Sequence, residues 1–162
     1  MSGLITVNIS DMKVSESPAV FVTYALGSCV GVCLYDSALK IGGMGHILLP
    51  HFPEGSRPGR INRYADTCLP AMVSEMERRG CLRSRMVAKI AGGAKMFEMA
   101  DGSGLGDIGA RNTEAVKSAL QKLKVRITAE DTGLNYGRTV YFYTEDGRMV
   151  VKSFARGEKV YG

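Results

Sequence analysis

Three apolar segments that follow one another closely constrain the fold of this chain more than any other feature of its sequence. They cover residues 19–26, 30–35 and 41–49, and they are separated by residues 27–29, which begin with a Gly-Ser pair, and by residues 36–40, which contain a turn at 36–39. Continuous apolar and β-branched runs with little polar alternation are typical of strands buried on both faces. The sequence therefore predicts that these three strands form the centre of the core.

Two helices are predicted in the middle of the chain. The segment 64–79 has the helical spacing of apolar residues, and Pro70 within it predicts a late start or a kink. A second helix is expected to begin at Asn112, as the N-terminal cap, and to run to about Lys124 with Glu114 in its first turn.

Further strands are grouped towards the C-terminal end. They are predicted at 86–91 and 125–130, with a hairpin of 138–143 and 148–154 around the turn 145–147. Strands towards both ends and helices between them indicate an α+β fold, a mostly antiparallel β core with two main helices packed outside. We expect a single domain over residues 1–162.

Composition excludes several function classes. No apolar run approaches the roughly 20 residues of a membrane span, and the N-terminus lacks the pattern of a signal peptide, so we expect a cytoplasmic protein without membrane insertion. The net charge is +5, but the basic residues are scattered, which argues against nucleic-acid binding. Four cysteines without a Cys-x-x-Cys pair and only two histidines argue against a metal site.

Cys29 and His46 are candidates for a catalytic pair. If residues 36–39 form a four-residue hairpin loop, Tyr35 pairs with Lys40, and the same register places Cys29 opposite His46 on one face. An imidazole there would take the thiol proton and stabilise a thiolate with a lowered pKa. Backbone N–H groups at the Gly27–Ser28 turn would form an oxyanion hole. The competing interpretation is structural, because a cysteine in an apolar strand is usually a core residue.

At these residues the sequence resembles the CheD family. The resemblance is carried by short motifs in the same order over nearly the whole chain. They are TYALGSCVGV at 23–32, GHILLP at 45–50, YAD at 64–66, KIAGGA at 89–94 with Met96 and Phe97, IGARN at 108–112, and AEDTG at 129–133 with Asn135 and Arg138.

The resemblance implies a cysteine hydrolase that deamidates glutamines on the cytoplasmic helices of methyl-accepting chemotaxis receptors. It implies a catalytic Cys29, His46 and Thr23, with Thr23 orienting the imidazole, and turn support from Gly27 and Ser28. It further implies a layered α/β sandwich similar to that of cysteine-dependent deamidase toxins. A CheC-type phosphatase of CheY is the implied regulator. No cofactor or metal is expected, and we expect a monomer when the chain is alone.

Other features have more than one interpretation. A non-catalytic chemotaxis adaptor that binds CheC or the receptor is the main alternative function. The pattern Gly-x-Gly-x-x-Gly at 104–109 matches a dinucleotide fingerprint, but no clear strand precedes it, so a loop is favoured. Four polar residues in the shared motifs could hold loops around the site or contact substrate. They are Arg111, Asn112, Asn135 and Arg138.

Overall fold

The computed structural model describes residues 3–55, 60–96 and 107–162, which contain ten strands and two α-helices. The strands are β1 (Gly3–Thr6), β2 (Met12–Glu16), β3 (Ala19–Leu26), β4 (Val30–Asp36), β5 (Ile41–Ile47), β6 (Met86–Gly92), β7 (Arg126–Thr132), β8 (Arg138–Tyr143), β9 (Met149–Ser153) and β10 (Gly157–Tyr161). The helices are α1 (Ala65–Arg78) and α2 (Ile108–Lys122).

The strands form two sheets of five. The first sheet has the order β1-β3-β8-β9-β10, and the second has the order β2-β5-β4-β6-β7. The pairs β1–β3 and β6–β7 are parallel and the other pairings are antiparallel. The predicted fold class, a layered α+β sandwich with a mostly antiparallel core, is confirmed.

Two apolar cores divide the molecule into three layers. One core lies between the sheets and includes Phe21, Cys33 and Phe142. The other lies between the second sheet and the helices and includes Val32 and Met72. The second sheet is therefore the middle layer, with the first sheet on one face and both helices on the other.

The central position of β4 follows from its sequence. Every residue of β4 and β5 is buried, as their continuous apolar runs predict. Side chains alternate between the faces of a strand, so Val30, Val32 and Leu34 enter the helix-side core while Cys33 and Tyr35 enter the core between the sheets. Gly31 lies on the same face of β4 as Cys33. Cys29, two positions before Gly31, therefore faces the first sheet as well.

The predicted hairpin loop was misplaced at Asp36. The prediction began the turn with this residue, but Asp36 is the last residue of β4 and pairs with Ile41. Its side chain is fully buried and accepts hydrogen bonds from the Arg85 guanidinium and from the Leu82 backbone N–H. These distant partners keep an aspartate inside a strand, a position it rarely favours on its own.

Both helices also depart from their predictions. Helix α1 begins at Ala65 and includes Pro70, so the predicted late start is wrong. Helix α2 begins at Ile108, four residues before Asn112, so Asn112 is not its cap. The glycine pattern at 104–109 lies outside the described residues up to Gly106, Asp107 directly precedes α2, and Ile108 and Gly109 are its first two residues. No helix in the described ranges has both the length and the apolar character needed to cross a membrane.

Candidate active site

The three residues predicted to act together lie on three different elements that face the layer between the sheets. Thr23 is on β3 in the first sheet, and His46 is on β5 in the second. Cys29 lies in the turn from Leu26 to β4 and belongs to the core between the sheets. All four cysteines are buried, and Cys33, Cys68 and Cys81 belong to the two apolar cores.

The predicted register between Cys29 and His46 was wrong by two residues. His46 pairs with Gly31, because Asp36 extends β4 and moves the hairpin loop. Cys29 precedes Gly31 by two positions, so it lies on the same face and diagonal to His46 rather than opposite it. A shift of two residues preserves the face, whereas a shift of one would have reversed it.

Thr23 determines the protonation pattern of the His46 ring. The Thr23 hydroxyl donates its proton to the backbone carbonyl of Val7 at 2.6 Å, and its oxygen lies 2.6 Å from His46 Nδ1. A hydroxyl has one proton, so Nδ1 must be the donor in its bond to Thr23. The neutral imidazole then carries its proton on Nδ1, and the Nε2 lone pair is free.

His46 Nε2 is a buried atom with no hydrogen-bond partner in the described part of the chain. A buried polar atom without a partner is uncommon and often marks a functional site. The residue is 1% exposed, and burial lowers the pKa of His46 to about 4. At neutral pH the ring is therefore an uncharged base with an available lone pair.

Cys29 is also uncharged at rest. Burial raises the pKa of the Cys29 thiol, and a hydrogen bond from its own backbone N–H offsets part of that rise. The predicted thiolate with a lowered pKa is therefore wrong for the resting protein. The Cys29 residue keeps 8% of its surface exposed, compared with 1% for His46.

The turn that carries Cys29 is held by its carbonyl groups. The carbonyls of Gly27 and Cys29 accept hydrogen bonds from the backbone N–H groups of Ala94 (2.9 Å) and Gly93 (2.8 Å). Gly93 has a positive φ of 63°, and a side chain there would collide with Thr113. In the described residues, the backbone N–H groups of Ser28 and Cys29 have no backbone carbonyl or side-chain oxygen as acceptor.

Comparison with known proteins identifies the family. The family model for CheD, described as chemotactic sensory transduction, matches residues 48–153. The chain belongs to the CheD family. A relative from Syntrophomonas wolfei is 42% identical over 160 residues, which are 99% of both chains. Another, from Caldanaerobacter subterraneus, is 44% identical over 98% of both chains. Each is named a probable chemoreceptor glutamine deamidase CheD.

A solved structure supports the fold of this CheD-family chain. The crystal structure of a Neisseria meningitidis protein of family DUF152 superposes with a TM-score of 0.51 at 11% identity. The match covers 81% of the present chain and 64% of the Neisseria chain, so it spans less than two thirds of that protein. The likeness concerns the arrangement of the chain alone.

The polar residues of the shared motifs have different positions. Asn112 is fully buried in α2, where its Nδ2 donates to the carbonyls of Ser28 and Leu48 at 3.0 Å each. Arg138 is buried and its Nε donates to Asp131 at 2.9 Å. Arg111 and Asn135 are exposed. Asn112 thus holds the turn before Cys29, a role that its position in a helix conceals from sequence patterns.

Two features of the site had no signal in the sequence. Val7 contributes through its backbone carbonyl, which any residue would supply. The N–H groups of Gly93 and Ala94 act in the same way, and only the family motif at 89–94 drew attention to them.

A cavity of about 1010 Å³ lies elsewhere, on the outer side of the first sheet, lined by Tyr24, Tyr136 and Phe154 among others.

Proposed function

We propose that this chain hydrolyses the side-chain amide of glutamine residues on chemoreceptors, with Cys29 as nucleophile and His46 as base. The family and the names of its relatives support the reaction and the substrate. The observation that carries the residue assignment is the buried, unpartnered Nε2 of His46, with its proton fixed on Nδ1 by Thr23. A base that is uncharged and lacks a competing donor can accept a thiol proton.

The first half of the reaction forms a thioester. The Cys29 sulfur attacks the carboxamide carbon while the thiol proton moves to His46 Nε2, and the carbonyl oxygen becomes an oxyanion. Backbone N–H groups of the turn at Ser28 and Cys29 stabilise that charge. The carbon–nitrogen bond then breaks as imidazolium returns its proton to nitrogen, which releases ammonia.

The second half restores the enzyme. His46 takes a proton from water, and the resulting hydroxide attacks the thioester carbon. The carbon–sulfur bond breaks, sulfur recovers its proton from the imidazolium, and glutamate remains on the substrate. Thr23 contributes by accepting from Nδ1–H in every step, which keeps Nε2 aimed at the reacting atoms.

Because the Cys29 thiol and the His46 imidazole are both neutral at rest, the thiol proton must move to His46 as the sulfur attacks. The imidazolium formed in the transition state is stabilised by a hydroxyl and not by a carboxylate, which gives less electrostatic help. Substrate binding that excludes water would strengthen the remaining interactions of the site. The resting enzyme is consequently protected from unspecific alkylation and oxidation, since the thiolate is the reactive form.

The direct test is deamidation of a purified receptor cytoplasmic fragment, followed by peptide mass spectrometry of each glutamine. Wild-type protein should convert particular glutamines to glutamate, while Cys29→Ala and His46→Gln should convert none. Cys33→Ala is the matched control, because Cys33 faces the same layer further along β4 and should be dispensable for activity. Deamidation by Cys29→Ala would exclude the proposed nucleophile, and receptor binding without any deamidation would favour the adaptor function.

We further propose that the protein acts in the cytoplasm as a monomer and that a CheC-type phosphatase regulates it. Size-exclusion chromatography with light scattering measures whether the protein is a monomer. Deamidation rates with and without purified CheC measure the regulation, and an unchanged rate together with no detectable complex would remove CheC as a partner.

A further inference from the structure

Asn112 connects the two chain segments that carry the candidate nucleophile and base. One N–H of its side-chain amide donates to the carbonyl of Ser28, directly before Cys29. The other donates to the carbonyl of Leu48, two residues after His46. Both bonds are 3.0 Å long, and the side chain is completely buried.

These bonds lie beyond the end of the ladder between β4 and β5. The ladder between β4 and β5 ends at the pair Val30–Ile47, so Cys29 and Leu48 would form the next pair beyond it. Past this pair, no hydrogen bond between β4 and β5 fixes the direction of the Ser28 and Leu48 carbonyls. Asn112 supplies that restraint from α2, on the helix side of the second sheet.

The bond to Ser28 also determines where the next N–H points. In a planar trans peptide the C=O and N–H groups point in opposite directions. Holding the Ser28 carbonyl towards Asn112 therefore turns the Cys29 N–H away from the helix, on the side where its own sulfur lies. That N–H has no other acceptor in the described residues, so it is available to a substrate oxygen.

The side chain of Asn112 suits the two carbonyls chemically, but it is not the residue that the stability of the fold alone would favour. An amide offers two N–H donors, which match the two carbonyls, whereas a carboxylate offers none. Its Oδ1, however, is buried with no partner in the described part of the chain. A buried acceptor without a partner is unfavourable, so Asn112 is not an optimal residue for packing alone.

We propose that Asn112 is a positioning residue that orients the Cys29 backbone N–H as an oxyanion donor. This inference rests on the proposed deamidase function. It predicts that loss of the amide lowers kcat, because the donor is needed when the tetrahedral oxyanion forms, and leaves KM unchanged. It also predicts that thiol reactivity survives, because alkylation forms no oxyanion.

The experiment compares Asn112→Ala and Asn112→Leu with wild type, since leucine keeps most of the side-chain volume while alanine does not. We expect kcat for receptor deamidation to fall about 10²-fold in both, with a much smaller change in the rate of Cys29 alkylation by iodoacetamide. Thr144→Val is the control, because it removes two buried hydrogen bonds to Ala19 at the opposite end of the strands. It should lower Tm without lowering kcat.

The outcomes separate this inference from the function on which it rests. No deamidation by wild type would contradict the proposed function itself. An active wild type with unchanged kcat in both Asn112 variants would overturn the inference alone. A parallel fall of kcat and alkylation rate would also overturn it, because the amide would then act on the thiol and not on the oxyanion. So would an equal fall of kcat in the Thr144 control.

Discussion

The buried imidazole of His46 links the chemistry of the site to the pH dependence of folding. Its pKa is about 4 in the folded chain and about 6.5 in an unfolded one. The unfolded state therefore binds a proton at pH values where the folded state does not. The contribution of His46 to the free energy of unfolding is fully present above pH 6.5, declines as the pH falls, and reaches its minimum near pH 4.

This linkage gives the first prediction. Between pH 7 and pH 5, wild type should lose about 2 kcal/mol more unfolding free energy than a His46→Gln variant, which has no titrating ring at that position. Urea unfolding at the two pH values measures the difference. Because every other titratable group is common to the two proteins, the contributions of those groups cancel, and equal losses would contradict a lowered pKa of His46.

Thr23 offers a second prediction, about the tautomer. Thr23→Val keeps the shape but removes the acceptor for Nδ1–H, so the ring can place its proton on Nε2, where it cannot accept from Cys29. Leaving a buried donor unpartnered costs about 1–3 kcal/mol, so kcat should fall about 10- to 100-fold.

The tautomer itself provides the decisive readout. Thr23→Ser retains a hydroxyl and should recover most of the lost kcat. Imidazole nitrogen chemical shifts should show Nδ1–H in wild type and a mixture in Thr23→Val, and the chain has only two histidines to assign. A Thr23→Val protein with lower activity but an unchanged tautomer would assign Thr23 a purely structural role.

Individual elements show how far local patterns reach. Residues 19–26 were predicted as a strand with the same bounds as β3, since a long apolar run has few alternatives. The strands β1, β2 and β10 were not predicted, because they are short strands at the edges of the sheets and none of their residues is fully buried. Local sequence does not encode the partner strand that makes such segments regular.

The sequence offered candidate residues for the site but not their geometry. The family motifs identified Cys29, His46 and Thr23, and the structure brings Thr23 and His46 into contact. The register failed because it depends on Asp36, whose partner Arg85 lies 49 residues away. Asn112 resembled a helix cap because its real partners, two backbone carbonyls on other elements, leave no trace in side-chain patterns.

Helix α2 yields the third prediction, at Gly109. A side chain there would collide with the carbonyls of Gly93 and Ala94, whose N–H groups hold the Cys29 turn. Alanine normally stabilises a helix by about 1 kcal/mol relative to glycine, but overpacking here should reverse the sign and destabilise the protein by about 1–3 kcal/mol. The displaced turn should also lower kcat by about tenfold or more.

The exposed neighbour Ala110 provides the control for that prediction. Ala110→Gly should cost about 1 kcal/mol through helix propensity alone and leave kcat unchanged. Thermal unfolding and initial deamidation rates of both variants are sufficient. A Gly109→Ala protein that is more stable than wild type and fully active would show that α2 can move without disturbing the Cys29 turn.

In the molecule as a whole, the candidate site lies between two sheets and needs both of them. Thr23 belongs to the first sheet and His46 to the second, while Cys29 lies in the turn that connects β3 of the first sheet to β4 of the second. A sliding of one sheet over the other would separate Thr23 from His46 without unfolding either. The contacts that fix the sheets relative to each other at this end of the sandwich therefore also fix the geometry of the candidate site.

The buried ion pair of Arg138 and Asp131 is such a contact. Arg138 is on β8 in the first sheet, and Asp131 is on β7 in the second. Their side chains are 0% and 8% exposed, and Tyr161 also donates to Asp131 at 2.7 Å. Arg138 pairs with Leu26, directly before the Cys29 turn, so the ion pair joins the sheets beside the site.

Removal of the Arg138–Asp131 ion pair gives the last prediction. Arg138→Met or Asp131→Ala alone should destabilise the protein by about 3–5 kcal/mol, because each leaves a buried charge without its partner. The loss of unfolding free energy in the double variant should be about 1–3 kcal/mol smaller than the sum of the two single losses, since it leaves neither charge behind. The exposed pair of Lys117 on α2 and Glu130 on β7 should couple by less than about 1 kcal/mol in a matched cycle. Denaturant unfolding of both sets of variants measures the two coupling energies, and strict additivity at Arg138 and Asp131 would mean that apolar packing alone aligns the sheets.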